Sequence, residues 1–171
     1  MRIQLAAVLV VAGSPAWAQD RPAITPSRDV AVTYRVTTDG EAPSEIRTAW
    51  LAARSLMRMD LPDGQGWMIL DKTSGRAFMV TEAQRRILDM PGNSLPIGVA
   101  PDASARFTRE GRARVANTDC VNWRMEGQAQ VARICLTGDG VMLRRESLEG
   151  QRAGRLEAIT VLFAGIMQFD L

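Results

Sequence analysis

The chain has 171 residues, with 21 Lys and Arg against 19 Asp and Glu and no histidine at all. A formal charge of +2 is no electrostatic footprint for nucleic acid. The missing imidazole removes the commonest general base, the commonest zinc ligand and the Ser-His-Asp triad together.

The first residues read as an export signal. Arg2 supplies a positive start, Ile3 to Gly13 is apolar, and Ala16-Trp17-Ala18 puts small residues where signal peptidase reads them. The apolar run is shorter than the ~20 residues a membrane-spanning helix needs. We therefore expect residues 1–18 to be removed, the mature chain to begin at Gln19, and the protein to work in the periplasm or outside the cell. The competing reading is a retained anchor or a buried N-terminal helix. No cysteine follows the run to carry a lipid, and no paired arginine precedes it, which favours general secretion over the twin-arginine route. No later apolar stretch is long enough to span a membrane, so no transmembrane span is expected after cleavage.

Residues 19–28 are polar, contain Pro22 and Pro26, and lack periodicity, so they read as a tether. One domain then occupies 29–171, enough for a sizeable core. Val30, Val32, Tyr34 and Val36 alternate with Ala31, Thr33, Arg35 and Thr37, the period of a half-buried strand. Between Ser44 and Asp60 the residues Ile46, Trp50, Ala53 and Met57 also fit a helical stripe. The strand reading is favoured because its surroundings are strand-like. Trp67–Leu70 and Ala77–Val80 form a hairpin around Asp71–Arg76, with Gly75 placed for positive φ. Arg86–Met90 is a further run, and Pro91–Pro101 is a Pro/Gly-rich loop.

Strand-like runs resume at Ala105–Thr108, Ala113–Ala116 and Val121–Met125. A second hairpin sets Ala129–Leu136 against Val141–Ser147 around Gly138-Asp-Gly140. Leu156–Phe163 is nearly all apolar and is expected to be a buried strand. Short strands without long helical patterns predict a mainly β fold, an antiparallel meander curled around one core.

Little here carries catalysis. A Ser-Lys dyad would need Lys72, the only lysine, which falls in a hairpin turn where solvent is its expected partner. No nucleophile elbow, phosphate loop or dinucleotide fingerprint occurs, and no cofactor is implied. Asp60 and Asp71 lie near the ends of neighbouring predicted strands, which leaves a carboxylate pair for glycoside chemistry open. Cys120 and Cys135 are an even pair in an exported chain and are expected to form a disulfide, worth roughly 3 kcal/mol for a loop of about 15 residues. A metal or redox pair is the alternative, although the spacing is unlike C-x-x-C.

Methionine is the more informative residue. Met57 and Met59 share a strand face, with Met68 and Met79 on predicted neighbours and Trp50 beside them. Three readings stay open: ordinary core, a deformable wall for an apolar ligand, or soft sulfur for copper(I). Parity at Trp67–Leu70 is ambiguous, because a one-residue slip exchanges Met68 for Ile69.

The segments Gly66–Val80, Arg106–Gly111, Cys120–Trp123 and Ile134–Arg144, in that order, resemble a family of small secreted bacterial proteins of unknown function related to the LolA-type lipoprotein carriers. The resemblance covers Val30 to Ser147. It implies a curved antiparallel half-barrel whose concave apolar face is partly covered by a loop or short helix. It further implies a non-enzymatic carrier or binder of a lipid or lipidated protein; on a sheet curled that way, strand parity and size make Trp50, Met57, Met59, Met68 and Met79 the candidate wall. The alternative is an envelope interaction module whose concavity is filled by its own Pro91–Pro101 loop.

Export has a direct check. N-terminal sequencing of envelope material should return Gln19 as the first residue, and an intact Met1 would contradict the signal.

Overall fold

The alternation that begins at Val30 builds the first strand of an eleven-stranded antiparallel sheet. The computed structural model describes residues 21–91, 104–127, 131–149 and 154–163. The signal segment and residues 92–101 of the Pro/Gly-rich loop lie outside them. The strands are β1 (Val30–Thr38), β2 (Ser44–Leu51), β3 (Leu56–Asp60), β4 (Trp67–Asp71), β5 (Arg76–Thr81) and β6 (Arg86–Pro91). They continue as β7 (Arg106–Val115), β8 (Thr118–Glu126), β9 (Val131–Leu136), β10 (Met142–Glu149) and β11 (Gly154–Phe163).

Strand order is β6-β5-β4-β3-β2-β1-β11-β10-β9-β8-β7. The sheet is thus two meanders, β1–β6 and β7–β11, zipped together where the first strand pairs the last along Val30–Thr38. The sheet is strongly curled rather than flat. In a flat sheet β7 and β11, four strand spacings apart, would lie about 19 Å from each other. Here they approach within 8 Å between Cα atoms. The sheet does not close, since β6 and β7 remain as edges. The described strands therefore form a curved antiparallel half-barrel.

The Ser44–Asp60 ambiguity resolves as two strands joined by one 3-10 turn, Ala52–Arg54. Leu51 enters that turn extended and Ser55 leaves it left-handed, so the helical stripe is interrupted before it can bury a face. Two other expectations are corrected. The runs at Ala105 and Ala113 are one strand, because Gly111, at φ 133°, sits where the register shifts and lets β7 bulge and continue. The last strand is not fully buried: Ala158 is, but Ile159, Leu162 and Phe163 are exposed. One face of an antiparallel sheet can meet water even when the strand lies mid-sheet.

Registers fix which side chains share the concave side. Val30, Val32 and Tyr34 pair with Trp50, Thr48 and Ile46 across β1 and β2. Trp50 and Thr48 pair in turn with Met57 and Met59. On the same side Met59 meets Met68, and Met68 meets Met79, so the parity question falls in favour of Met68 over Ile69. A second apolar cluster, centred on Trp123, Met125, Ala132 and Ile134, occupies β8 and β9. Asn122 opposite Cys135 places Cys120 and Cys135 on one face of the β8–β9 pair. They form a disulfide, with Cα atoms 5.6 Å apart.

Thiol labelling of the denatured, unreduced protein should find no free cysteine. The Cys120→Ala, Cys135→Ala double variant should lose about 3 kcal/mol. Two labelled thiols in that denatured, unreduced protein would contradict the bond.

Candidate functional site

The concave side is covered by its own N-terminal segment, Arg21 to Asp29, which from sequence reads as a tether. It has no periodicity to announce this role, and it is held by contacts with residues distant in the chain. The Trp50 indole N–H donates to the Pro26 carbonyl at 2.8 Å. The Ala52 amide donates to Asp29 Oδ1 at 2.8 Å, and the Ser27 amide to the Asp139 carbonyl at 3.0 Å. Arg28 pairs with the Asp139 carboxylate and stacks over Phe163, its guanidinium carbon 3.8 Å from the ring centre. Arg21 lies over Phe107 at 5.6 Å.

Gly140 is what lets the strap come so close. A Cβ built there would lie 2.4 Å from the Thr25 carbonyl oxygen, and its φ of +88° already favours glycine. The turn that carries Gly140 is tied by Thr137, whose hydroxyl accepts from the Val141 amide at 2.9 Å and donates to Asp139. Burial works to raise the Asp139 carboxyl. The hydrogen bonds from Thr137 and Arg28, with the Arg28 charge, outweigh it and hold the group below the usual carboxylate range.

Beneath the strap lies a cavity of about 90 Å³. Its floor is Val30, Val32 and Tyr34 of β1 with Ile46, Thr48 and Trp50 of β2. Met57 and Met59 extend it along β3, Val141, Met142 and Leu156 close another side, and Ile24 and Pro26 are the roof. Ile24 also packs against the Trp123 cluster, as Met142 does from β10, so the strap and the sheet both bridge the two apolar regions.

Polar atoms in the lining are largely engaged. Tyr34 donates its hydroxyl to the Met142 carbonyl at 2.6 Å, and burial pushes that phenol upward although a hydrogen bond with Thr48 opposes it. The charged lining residue is Lys72, whose ammonium donates to Thr25 Oγ1 at 2.9 Å and lies 5.7 Å from the Trp50 ring centre. Burial lowers its pKa. Solvent is the partner its turn position predicts, but the side chain folds back from the turn to the strap.

Of the five candidate wall residues, Trp50, Met57 and Met59 line the cavity. Met68, 2 % exposed, is deep core behind Met59. Met79 is half-buried on the same face, one strand further out and beyond the lining. The Asp60 and Asp71 pair is not brought together. Asp60 pairs with Trp67 and Asp71 with Leu56, at opposite ends of the β3–β4 ladder. Asp60 pairs with Arg58 instead, and Asp71 accepts from the Ser74 hydroxyl and from the Ser74 and Thr73 amides, which lowers its pKa.

No family model matches the chain. No curated protein matches it significantly. Solved structures do. An uncharacterized conserved protein from Thermus thermophilus has a TM-score of 0.58 at 15% identity, over 82% of each chain. MucB in the Pseudomonas aeruginosa MucA/MucB complex has a TM-score of 0.54 at 15% identity, over 83% of this chain and 54% of that one. This chain thus spans little more than half of MucB. A LolA superfamily protein, NE2245 from Nitrosomonas europaea, has a TM-score of 0.41 at 8% identity, over 83% and 89%, too low for argument. At these identities the likeness shows a shared fold.

The close approach at Gly140 gives the strap a test. Gly140→Ala should push Thr25 away and speed tryptic cleavage at Arg28, while Gly138→Ala, which meets nothing within 4 Å, should not. Equal cleavage in both variants would show that the strap is held elsewhere.

Proposed function

We propose that the protein is an exported, non-enzymatic binder of an apolar chain, carried by a lipid or a lipid-modified protein, in a single domain spanning 29–171. The signal-like N-terminus and the disulfide support an oxidising, extracytoplasmic address. The observation that carries the reading is an apolar cavity roofed by a short, non-periodic segment instead of by a strand or helix of the fold.

Size dictates how it would work. A cavity of about 90 Å³ has room for roughly three waters at ~30 Å³ each. Small-molecule sites are usually about 300–1,000 Å³. A guest must therefore replace the strap. Burying Ile24 is worth about 2 kcal/mol, and each of the strap's hydrogen bonds about 1 kcal/mol. Releasing nine residues returns backbone entropy of about 1 kcal/mol or more per residue, a sum comparable to those gains. Ten buried methylenes of an arriving acyl chain gain about 8 kcal/mol, set against about 4 kcal/mol or more for the freedom it loses on binding. Trp50, Met57 and Met59 then face it, with methionine adapting its shape to the guest.

The same small volume favours a second reading, in which the strap permanently completes the core and the protein acts through its surface. The two separate experimentally. Met57 is half-buried and lines the cavity, whereas Met59 is 2 % exposed and integral to the core. Met57→Asp should abolish binding of fluorescent fatty acids with little change in melting temperature, because its charge stays wet until a guest excludes water. Ile24→Asp, which loosens the roof, should bind the probe more tightly than the wild type. Probe binding by neither wild type nor Ile24→Asp would favour the self-filled core.

A further inference from the structure

We infer that Lys72 is a head-group anchor, and that the guest is a single-chain amphiphile whose anionic end sits on the Lys72 ammonium while its chain runs over Trp50 and Met57. This rests on the apolar-guest reading above and adds the chemistry of the guest's polar end.

Elimination among the polar groups of the lining leaves one candidate. The Tyr34 hydroxyl donates to the Met142 carbonyl, the Thr48 hydroxyl to the Val32 carbonyl at 3.4 Å, and the Trp50 indole to the Pro26 carbonyl. Each of these has a backbone acceptor. Lys72 differs. An ammonium carries three donors, and one of them goes to Thr25 Oγ1, a neutral hydroxyl on the strap that a guest must displace. Among the described residues no carboxylate comes within salt-bridge distance of it. Asp71 beside it is turned toward Thr73 and Ser74, and Asp29 accepts from the Ala52 amide.

The setting strengthens the attraction. Lys72 is partly buried against the Trp50 ring, and charge pairs gain as water is excluded around them. Burial disfavours the cation in the empty state, and an arriving carboxylate or phosphate reverses that penalty. Loss of the Lys72–Thr25 bond also removes one of the strap's ties, so head-group capture and strap release are the same event. The only lysine of the chain thus stands where a flexible point charge, rather than a planar guanidinium, can follow a head group of either geometry.

The test measures binding of dodecanoate, dodecyl phosphate and dodecanol to the full mature chain and to Lys72→Gln and Lys72→Met, with melting temperatures alongside. The wild type should prefer the two anionic amphiphiles over dodecanol by about tenfold or more, as expected for a charge-assisted hydrogen bond. Both variants should lose that preference and bind dodecanol at least as tightly as the wild type. Lys72→Arg should keep most of it. If the preference survives in Lys72→Gln, the anchor is overturned while the apolar-guest reading stands. If wild type binds none of the three, both fall. If inorganic phosphate displaces dodecyl phosphate at equal concentration, the site is for a small anion and the amphiphile is wrong. If both uncharged variants fail to fold, Lys72 is a structural residue and the inference is overturned.

Discussion

A sheet curled this tightly has a concave side that must be filled, and the filling here is a nine-residue strap that belongs to no element of the fold. Ile24 of the strap and Met142 of β10 lie where the two apolar clusters meet. Around it, polar contacts at Trp50, Ala52, Lys72 and Asp139 set the strap's path, and Gly140 gives it room. A strap that covers apolar surface without adding to the β ladder is bound by side-chain burial and scattered hydrogen bonds. Those are terms that a longer apolar chain can match and exceed.

The two-meander topology explains why such a cover is tolerable. The β1–β11 pairing runs the length of both strands and ties the first strand to the last at mid-sheet. The disulfide holds β8 to β9 on the other half. The strap adds no pairing to the β ladder, so the strand order and registers are set without it. Lys72 sits at the junction of these parts, on the β4–β5 turn but bonded to the strap.

Much of the sheet was legible because its signals are local. Gly75 and Gly138-Asp-Gly140 write their turns in residues that tolerate positive φ, and alternation from Val30 writes β1. Where local rules are bent, sequence misleads. The β7–β8 turn uses Ala116 and Asn117 at φ of 47° and 59° instead of Asn-Gly, and the gap between the runs at Ala105 and Ala113 hides the bulge at Gly111. Met68 separates from Ile69 only through its partners on β3 and β5. The site was less legible. Trp50, Met57 and Met59 follow from strand parity, but the strap's partners lie far along the chain, and nothing local in Thr25 or Pro26 points to Lys72 or Trp50. The Lys72 side chain likewise takes its direction from a tertiary partner, not from its turn.

The central claim is that guest and strap compete for one surface. Hydrogen exchange at the Ser27 amide reports on the strap directly, since that N–H is bonded to the Asp139 carbonyl while the cover is in place. On saturation with dodecanoate, the account predicts that Ser27 loses its protection while the β1 amides paired with β2 keep theirs. Bound dodecanoate with Ser27 still protected would contradict it.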